Sequence, residues 1–299
     1  MIDRRLVRIR VFLDLYSFLL SNQGSKNQKI ENLKDKLKFS LNSLNTLYYF
    51  FLFLIVSTFN NVDSYSLKSK LKFNKSDHSN LLERMAANKV VMYLDKVFFK
   101  KIKFDLSKKE DISHIVDDIF RDILKNYSND LLEKSSSDLE GDASFLLLLF
   151  KKYFLGSEKL FIYLNDNNIY CDTDLEYVIK HVKKSISNFP NNKSFDFKYV
   201  NQKDSEFGLN LINSYGCLNN KNQDIIKKYS NNWDVNRIAL LDMILIKLAL
   251  SEIFDFKEIP YKVSINEYIE ISKQFSTKKS HGFINGILDK VVHDFKIND

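Results

Sequence analysis

Glycine and proline are scarce in this chain, with seven glycines and two prolines among 299 residues. All-β sandwiches and Gly-rich phosphate-binding folds place both residues in their turns, so the scarcity argues against those classes and predicts helices. Hydrophobic residues make up 44% of the sequence. That share is enough to bury a core, which excludes a wholly disordered chain.

Cysteine is also rare, and the two cysteines, Cys171 and Cys217, form no paired motif. This excludes a disulfide framework and favours a reducing compartment. The N-terminus begins Met1-Ile2-Asp3-Arg4-Arg5 and lacks the uninterrupted apolar stretch of a signal peptide. We therefore expect a cytoplasmic protein.

The motifs of common catalytic sites are missing from the sequence. It contains no Gly-rich phosphate loop, no HExxH and no GxSxG, and its five histidines are scattered without metal-ligand spacing. The sequence therefore predicts a protein that is not an enzyme and that needs no metal or cofactor.

One long apolar run, Leu47 to Val56, raises the question of a membrane span. Ten residues are too few to cross a hydrocarbon core of about 30 Å, and polar residues flank the run on both sides. A buried helix is the better interpretation.

The formal net charge is +7. A basic chain is typical of proteins that bind nucleic acid or another anionic partner, but a lysine-rich surface also serves solubility alone. Charge by itself leaves both interpretations open.

Helical spacing of apolar residues predicts helices over about 4–20, 235–254 and 280–295, with Phe295 inward and a loop at 276–279. Residues 204–230 suggest two short helices around Gly216, and Pro190 marks a break at 188–193. Ser264 and Glu267 have the spacing of a capping box.

Four segments of the sequence carry a resemblance to a known family. They are RRLVRIRVFLDLYS at 4–17, the helix LLDMILIKLALSEI at 240–253, IPYKVSINEYIEISKQF at 259–275 and SHGFINGILDKV at 280–291. Their order and content resemble the NusB family of transcription antitermination factors. The resemblance covers about residues 3–22 and 204–296.

The resemblance implies an all-α fold built as a pair of three-helix bundles, with a large helical insertion after the first helix. We expect the Arg-rich first helix at 1–24, the insertion at 25–200 and the rest of the NusB-like domain at 201–299. Long NusB-like proteins of the Bacteroidetes lineage show such an insertion. Its role is open, and widening the bundle is one possibility.

The resemblance also implies a function. Family members pair with the small-subunit ribosomal protein NusE, hold boxA-type single-stranded RNA from ribosomal RNA leaders, and help the RNA polymerase elongation complex with other Nus factors to read through terminators.

Candidate RNA-binding residues lie in two groups. Arg4, Arg5 and Arg8 share a helix flank, and arginine has a planar donor fork suited to phosphate and guanine. The second group follows the loop before the last helix, where Phe283 can stack on a base or pack in the core: Lys278, Lys279, Ser280, His281, Phe283 and Asn285. Asn285 contacts RNA or satisfies a backbone group, and Gly286 is expected at a close helix contact.

Tyr16 corresponds to the family tyrosine on the surface that faces NusE, and a core position is the alternative.

Two other functions compete with RNA binding in antitermination. RNA cytosine methyltransferases also carry NusB-like domains, but they need a catalytic cysteine after proline, and neither cysteine here follows one. A protein–protein scaffold or homodimer without sequence-specific RNA binding is the second rival.

Overall fold

The computed structural model describes residues 4–21, 26–70, 79–101, 109–127, 136, 138–166, 172–195, 200–230 and 237–297. These ranges contain helices and no strand, which confirms the all-α prediction. The helices are α1 (Arg4–Ser21), α2 (Lys26–Lys70), α3 (Ser79–Ala86), α4 (Lys89–Lys101), α5 (Lys109–Asn126), α6 (Leu139–Leu149), α7 (Glu158–Asp166), α8 (Asp172–Asn192), α9 (Gln202–Tyr229), α10 (Leu240–Asp255), α11 (Tyr261–Phe275) and α12 (Ser280–Asp294). A π-helical turn at Phe150–Phe154 follows α6.

The chain forms two compact units. The first comprises Met1–Asn42 and Val200–Asp299, and the second comprises Ser43–Tyr199. The predicted end of the insertion, at residue 200, lies beside the start of the second part of the first unit. The predicted boundary at residues 24 and 25 lies outside the described residues. Compactness does not show which segments a family shares, so the domain assignment stays a prediction.

The apolar run in α2 lies inside the protein. All residues from Leu47 to Val56 except Tyr49 are buried, which confirms the prediction of a buried helix. The stretch Ile30–Tyr65 is long and apolar enough to cross a membrane by length and composition, but 67% of its most apolar window is buried within the protein. Core helices of soluble proteins pass the same test, so the stretch is weak evidence for a membrane span.

In the second unit, polar side chains are tied to the helices around them. Asp142 accepts from the backbone N–H of Lys89 at 2.9 Å and pairs with Arg84. Tyr48 on α2 donates to Ser185 on α8 at 3.1 Å.

Pairs of contacts fix the helix directions in the first unit. The rings of Phe12 on α1 and Phe275 at the end of α11 lie 5.7 Å apart. Ser280, at the start of α12, bonds Asp242 near the start of α10, and Phe295 after α12 packs on Phe254 near the end of α10. Helices α10 and α12 therefore run in the same direction.

These directions define two ends of the first unit. At one end of the unit, α1 begins, α10 ends and α11 begins. We call it the arginine end. The opposite end, where α1 ends, α10 begins and α11 connects to α12, is the lysine end. The names follow the arginines of α1 and the lysines before α12.

One predicted break, at Gly216, was wrong, and the other, at 188–193, contains the end of α8. Helix α9 is continuous from Gln202 to Tyr229, and a side-chain carbon added at Gly216 would lie 2.6 Å from Ile30 on α2. The glycine thus allows a close approach of α2 and does not end the helix. Pro190 lies inside α8, two residues before its last residue Asn192. Proline has no backbone N–H to donate, and a proline so close to the end of the helix leaves only two further helical residues after it.

The predicted capping box was also wrong. Helix α11 begins at Tyr261 after Pro260, so Ser264 lies in its first turns and not at its cap. The Ser264 hydroxyl donates to Glu252 at 2.6 Å, and Glu267 pairs with Arg5. Both side chains therefore hold neighbouring helices together.

Gly286 was predicted at a close helix contact, but the structure has such a contact at Gly208 and none at Gly286. A side-chain carbon at Gly208 would come within 2.8 Å of Val7 and Leu37, so α1, α2 and α9 meet there at close range. No atom lies within 4 Å of the same position at Gly286. Phe295, predicted to point inward, is 45% exposed.

Candidate functional site

Arg8, the third arginine of α1, lies in the interior. Its side chain is 3% exposed, and its Nε and NH2 groups donate to the two carboxylate oxygens of Glu252 at 2.8 and 2.6 Å. RNA cannot reach a guanidinium in this position, so the structure does not support the predicted direct RNA contact of Arg8. The residue instead joins α1 to α10.

Glu252 is fully buried and accepts four hydrogen bonds. Besides the two from Arg8, it accepts from Ser264 at 2.6 Å and from Tyr268 at 3.0 Å. Burial lowers the pKa of Arg8, but the hydrogen bond and charge of Glu252 outweigh that effect and hold the pKa above its ordinary value. Burial and the same carboxylate raise the pKa of Tyr268 well above its ordinary value. The Arg8 guanidinium therefore stays charged and the Tyr268 hydroxyl stays neutral.

Arg5 is the accessible partner in a second arginine–glutamate pair. Its Nε and NH2 groups donate to the two oxygens of Glu267 on α11 at 2.8 and 2.7 Å, and its side chain is 36% exposed. A bidentate pair holds the guanidinium in one plane. Arg5 is therefore oriented by α11 at the surface of the arginine end.

Arg4 is exposed and lies over an aromatic ring. Its guanidinium carbon is 5.2 Å from the ring centroid of Phe207 on α9, and that of Arg8 is 5.1 Å from the same ring. A cation above a ring face is attracted by the ring quadrupole. Arg4 and Arg5 thus present positive charge at the start of α1, where the helix dipole opposes it.

At the lysine end, Ser280 is buried. Its hydroxyl donates to Asp242 at 2.8 Å, and the hydroxyls of Ser276 and Thr277 lie 3.0 and 2.8 Å from it. Ser276 donates to the other oxygen of Asp242 at 2.6 Å. Ser280 therefore fixes the loop before α12 and is not placed to reach RNA, unlike its neighbours Lys278 and Lys279, which are exposed.

The remaining predicted residues of this group lie along α12. His281, Phe283 and Asn285 are half-buried. The Asn285 amide donates to Asp289 at 2.7 Å. Phe283 is therefore exposed enough to contact a base and buried enough to pack against the core.

The structure does not bring the two predicted groups together. Glu267, which holds Arg5, and Phe275, which adjoins the lysine loop, are separated by eight residues of α11, or about 12 Å along the helix. Lys278 lies three residues further along the chain. One ligand can contact both groups only if it is extended over several nucleotides.

Tyr16 lies near the lysine end of α1 and is half-buried. Exposed apolar side chains accompany it: Leu19 and Leu20 on α1, and Phe39 on α2. Lys36 of α2 donates to Ser17 of α1 at 2.9 Å, which places this part of α2 beside the same helix. Exposed apolar groups of this kind are typical of a protein-binding surface.

Sequence reasoning missed the two glutamates that hold the arginines. A signal was present, because Glu252 lies in a largely apolar helix and a buried carboxylate requires a cation or several donors. In the described ranges, no three His, Cys, Asp or Glu side chains are grouped so that they could hold a metal ion.

Fold and site together define an all-helical protein with two oriented or exposed arginines at the start of its first helix. Residues 171–293 match the model of the NusB family. A transcription antitermination protein NusB from Natranaerobius thermophilus is 48% identical over 73 residues, which cover 24% of this chain and 52% of that protein.

Two further relatives give the same result. Transcription antitermination protein NusB of Salinibacter ruber is 44% identical over 71 residues (24% of this chain, 44% of that protein). The protein of the same name from Chloroherpeton thalassium is 43% identical over 97 residues (31% and 44%). No solved structure matches. The chain spans about half the length of the curated relatives it matches.

These matches agree with the resemblance seen in the C-terminal motifs: residues 171–293 of the chain are similar to the NusB family. The family match begins some thirty residues before the predicted start at 201 (201 − 171 = 30), so it includes α8.

Proposed function

We propose that this protein is a transcription antitermination factor that acts by binding RNA and not by catalysis. The NusB family match supports the general role. The observation that carries the RNA-binding part is the pair Arg4 and Arg5, which lie accessible at the start of α1 with Arg5 oriented by Glu267. A guanidinium held in one plane is suited to phosphate and to guanine edges.

The proposed ligand is boxA-type single-stranded RNA in the leaders of ribosomal RNA operons. Phosphates would bind Arg4 and Arg5 at one end of the first unit and Lys278 and Lys279 at the other. Between the ends, His281, Phe283 and Asn285 would meet unstacked bases. Arg8 and Ser280 are left out of the contact set because both are buried.

The proposed protein partner is the ribosomal protein NusE, bound at the surface formed by Tyr16, Leu19, Leu20 and Phe39. Three of these side chains are exposed apolar groups, which gain from burial against a partner. The pair would then act in the cytoplasm with the RNA polymerase elongation complex and other Nus factors.

Fluorescence anisotropy tests the proposal, with a boxA RNA and a scrambled RNA at two salt concentrations, with and without NusE. We expect selective binding to boxA RNA that tightens with NusE. Each of Arg4→Ala and Arg5→Ala should weaken binding by about 1–3 kcal/mol and flatten the salt dependence. Lys290→Gln, an exposed change on α12, is the control.

A scaffold or homodimer without sequence-specific RNA binding is the second candidate, and the exposed apolar groups beside Tyr16 favour it. Equal binding to both RNAs, together with a molecular mass that rises with concentration and falls in Phe39→Ser, would support that candidate and contradict the first.

A further inference from the structure

A groove lies at the arginine end of the first unit, where the chain turns back after α12. Lys296 has a positive φ of 49°, and the N–H groups of Lys296 and Ile297 bond the carbonyls of His293 and Val292 at 3.2 and 3.1 Å. This turn forms one wall of a cavity of about 310 Å³. We call it the C-terminal groove.

The groove combines apolar, aromatic and basic side chains. Ile253 and Ile259 are buried, while Tyr261 and Phe295 supply rings and Lys257 and Lys296 are exposed. Phe295 packs edge-on against Phe254, with ring centroids 5.5 Å apart, and remains 45% exposed. A large ring therefore stands at the surface between two lysines.

A second hollow of about 390 Å³ adjoins the other side of Phe295 and Lys296. Lys228 and Tyr229 line it together with Asp294, whose carboxylate accepts a hydrogen bond from the Tyr229 hydroxyl at 2.9 Å. Within 237–297, Lys257 and Lys296 form no ion pair. The two hollows together are lined by three lysines and one aspartate, so their lining carries net positive charge.

The groove and the side chains of Arg4 and Arg5 lie at the same end of the first unit. Tyr261, at the edge of the groove, is the first residue of α11, and Glu267, which holds Arg5, follows six residues later, or about 9 Å along the helix. The side chains of Tyr261 and Glu267 leave α11 about 120° apart, so a bound strand that contacts Arg5 must pass around α11 to reach the groove.

We propose that the C-terminal groove is a second RNA subsite, in which an unpaired base stacks on Phe295 and Lys257 and Lys296 bind the flanking phosphates. This inference rests on the proposed RNA-binding function. An exposed ring between basic side chains is the arrangement by which proteins bind single strands with little sequence preference. An acidic protein segment is the competing occupant, but it would leave the exposed ring face without a stacking partner.

The test compares a core boxA RNA with two RNAs extended by about four adenosines, one on the 5′ side and one on the 3′ side, each carrying 2-aminopurine in the extension. We expect one extended RNA to bind about tenfold more tightly than the core RNA. The 2-aminopurine fluorescence of that RNA should fall on binding, because stacking quenches it.

Variants assign the gain to the groove. Phe295→Ala and Phe295→Leu should both remove it, and the leucine variant keeps apolar packing against Phe254, so a folding defect is separated from loss of stacking. Lys257→Gln with Lys296→Gln should flatten the salt dependence of the extended RNA only. The control is Ile162→Ala, since Ile162 is an apolar side chain that is 57% exposed and lies in the second unit, outside every proposed contact.

The other outcomes contradict either the subsite alone or the proposed function together with the subsite. If the core RNA binds and neither extension adds affinity, or if Phe295→Leu keeps the gain, the subsite is contradicted while the proposed function stands. Loss of NusE binding in Phe295→Leu with RNA binding unchanged would make the groove a protein-binding site. If the core RNA fails to bind, the proposed function fails and the subsite fails with it.

Discussion

Arg8 of α1 and Glu252 of α10 form a buried, bidentate ion pair across 244 residues of sequence, with N···O distances of 2.6 and 2.8 Å. Two further donors, Ser264 and Tyr268 of α11, complete the coordination of the carboxylate. Three helices are thereby joined at one carboxylate, next to the surface where Arg4 and Arg5 are presented. This buried polar cluster thus stabilises the packing of α1, α10 and α11 beneath the candidate RNA surface.

Breaking this pair should unfold the protein more readily. Arg8→Ala leaves the Glu252 charge buried without its cation, which costs about 3–5 kcal/mol of the free energy of unfolding. Denaturant titrations followed by circular dichroism measure it. Arg4→Ala serves as the comparison, because Arg4 is exposed and its loss should change stability by about 0.5 kcal/mol or less.

The same experiment separates two roles of the α1 arginines. Folded Arg8→Ala protein should bind RNA with close to normal affinity, whereas Arg4→Ala should bind weakly at normal stability. The reverse pattern, with stability intact and RNA affinity lost in Arg8→Ala, would show that Arg8 contacts the ligand.

Glu267 is expected to control selectivity more than affinity. Glu267→Gln removes the charge that orients Arg5 and raises the net charge of the surface by one. Binding to scrambled RNA should therefore strengthen, and its salt dependence should steepen, because sequence-independent binding follows charge. The ratio of boxA to scrambled affinity should fall, as measured by anisotropy. An unchanged ratio would mean that the orientation of Arg5 has no part in recognition.

Two glycines should respond to alanine in opposite directions. Gly286→Ala fills open space on α12 and should stabilise the protein by up to about 1 kcal/mol, because glycine is a poor helix former. Gly208→Ala should destabilise it, because the new methyl group would lie 2.8 Å from Val7 and Leu37. Thermal unfolding of both variants is the measurement. Destabilisation by Gly286→Ala would indicate a contact at α12 that the structure lacks.

The sequence predicted best those features that depend on the pattern of neighbouring residues along the chain. The apolar run at Leu47–Val56 predicted a buried helix, and the motifs around α10, α11 and α12 predicted the family, since both depend on patterns along the chain. The burial of Arg8 could not be predicted in this way, because Arg5 and Arg8 share one helix flank. Which of them is buried depends on where Glu252 and Glu267 stand on other helices.

Lys247 should make the free energy of unfolding depend on pH. Its ammonium group is nearly buried and donates to two amide oxygens, those of Asn219 and Gln223, at 2.9 and 3.1 Å. Burial lowers the pKa of Lys247 below its ordinary value of 10.5. The charged form is therefore disfavoured in the folded state, and this cost disappears as pH rises from the lowered folded-state pKa to 10.5.

Lys247→Met should therefore be more stable than the parent protein at pH 7, with an advantage that shrinks as pH approaches 10.5. Urea unfolding of both proteins across that range measures the difference. Lys290→Met, at an exposed site on the same unit, should show no such pH-dependent difference. A constant difference for Lys247→Met would mean that the amine does not lose its proton on folding in this range.

The most direct test of the account is terminator read-through by purified RNA polymerase on a template with a boxA-containing leader, in the presence of NusE and the other Nus factors. We expect the protein to raise the read-through fraction, and a variant with Arg4→Ala and Arg5→Ala to lose the effect while remaining folded. Read-through that is unchanged by the protein, or equally raised by that variant or on a template with a scrambled boxA, would contradict it.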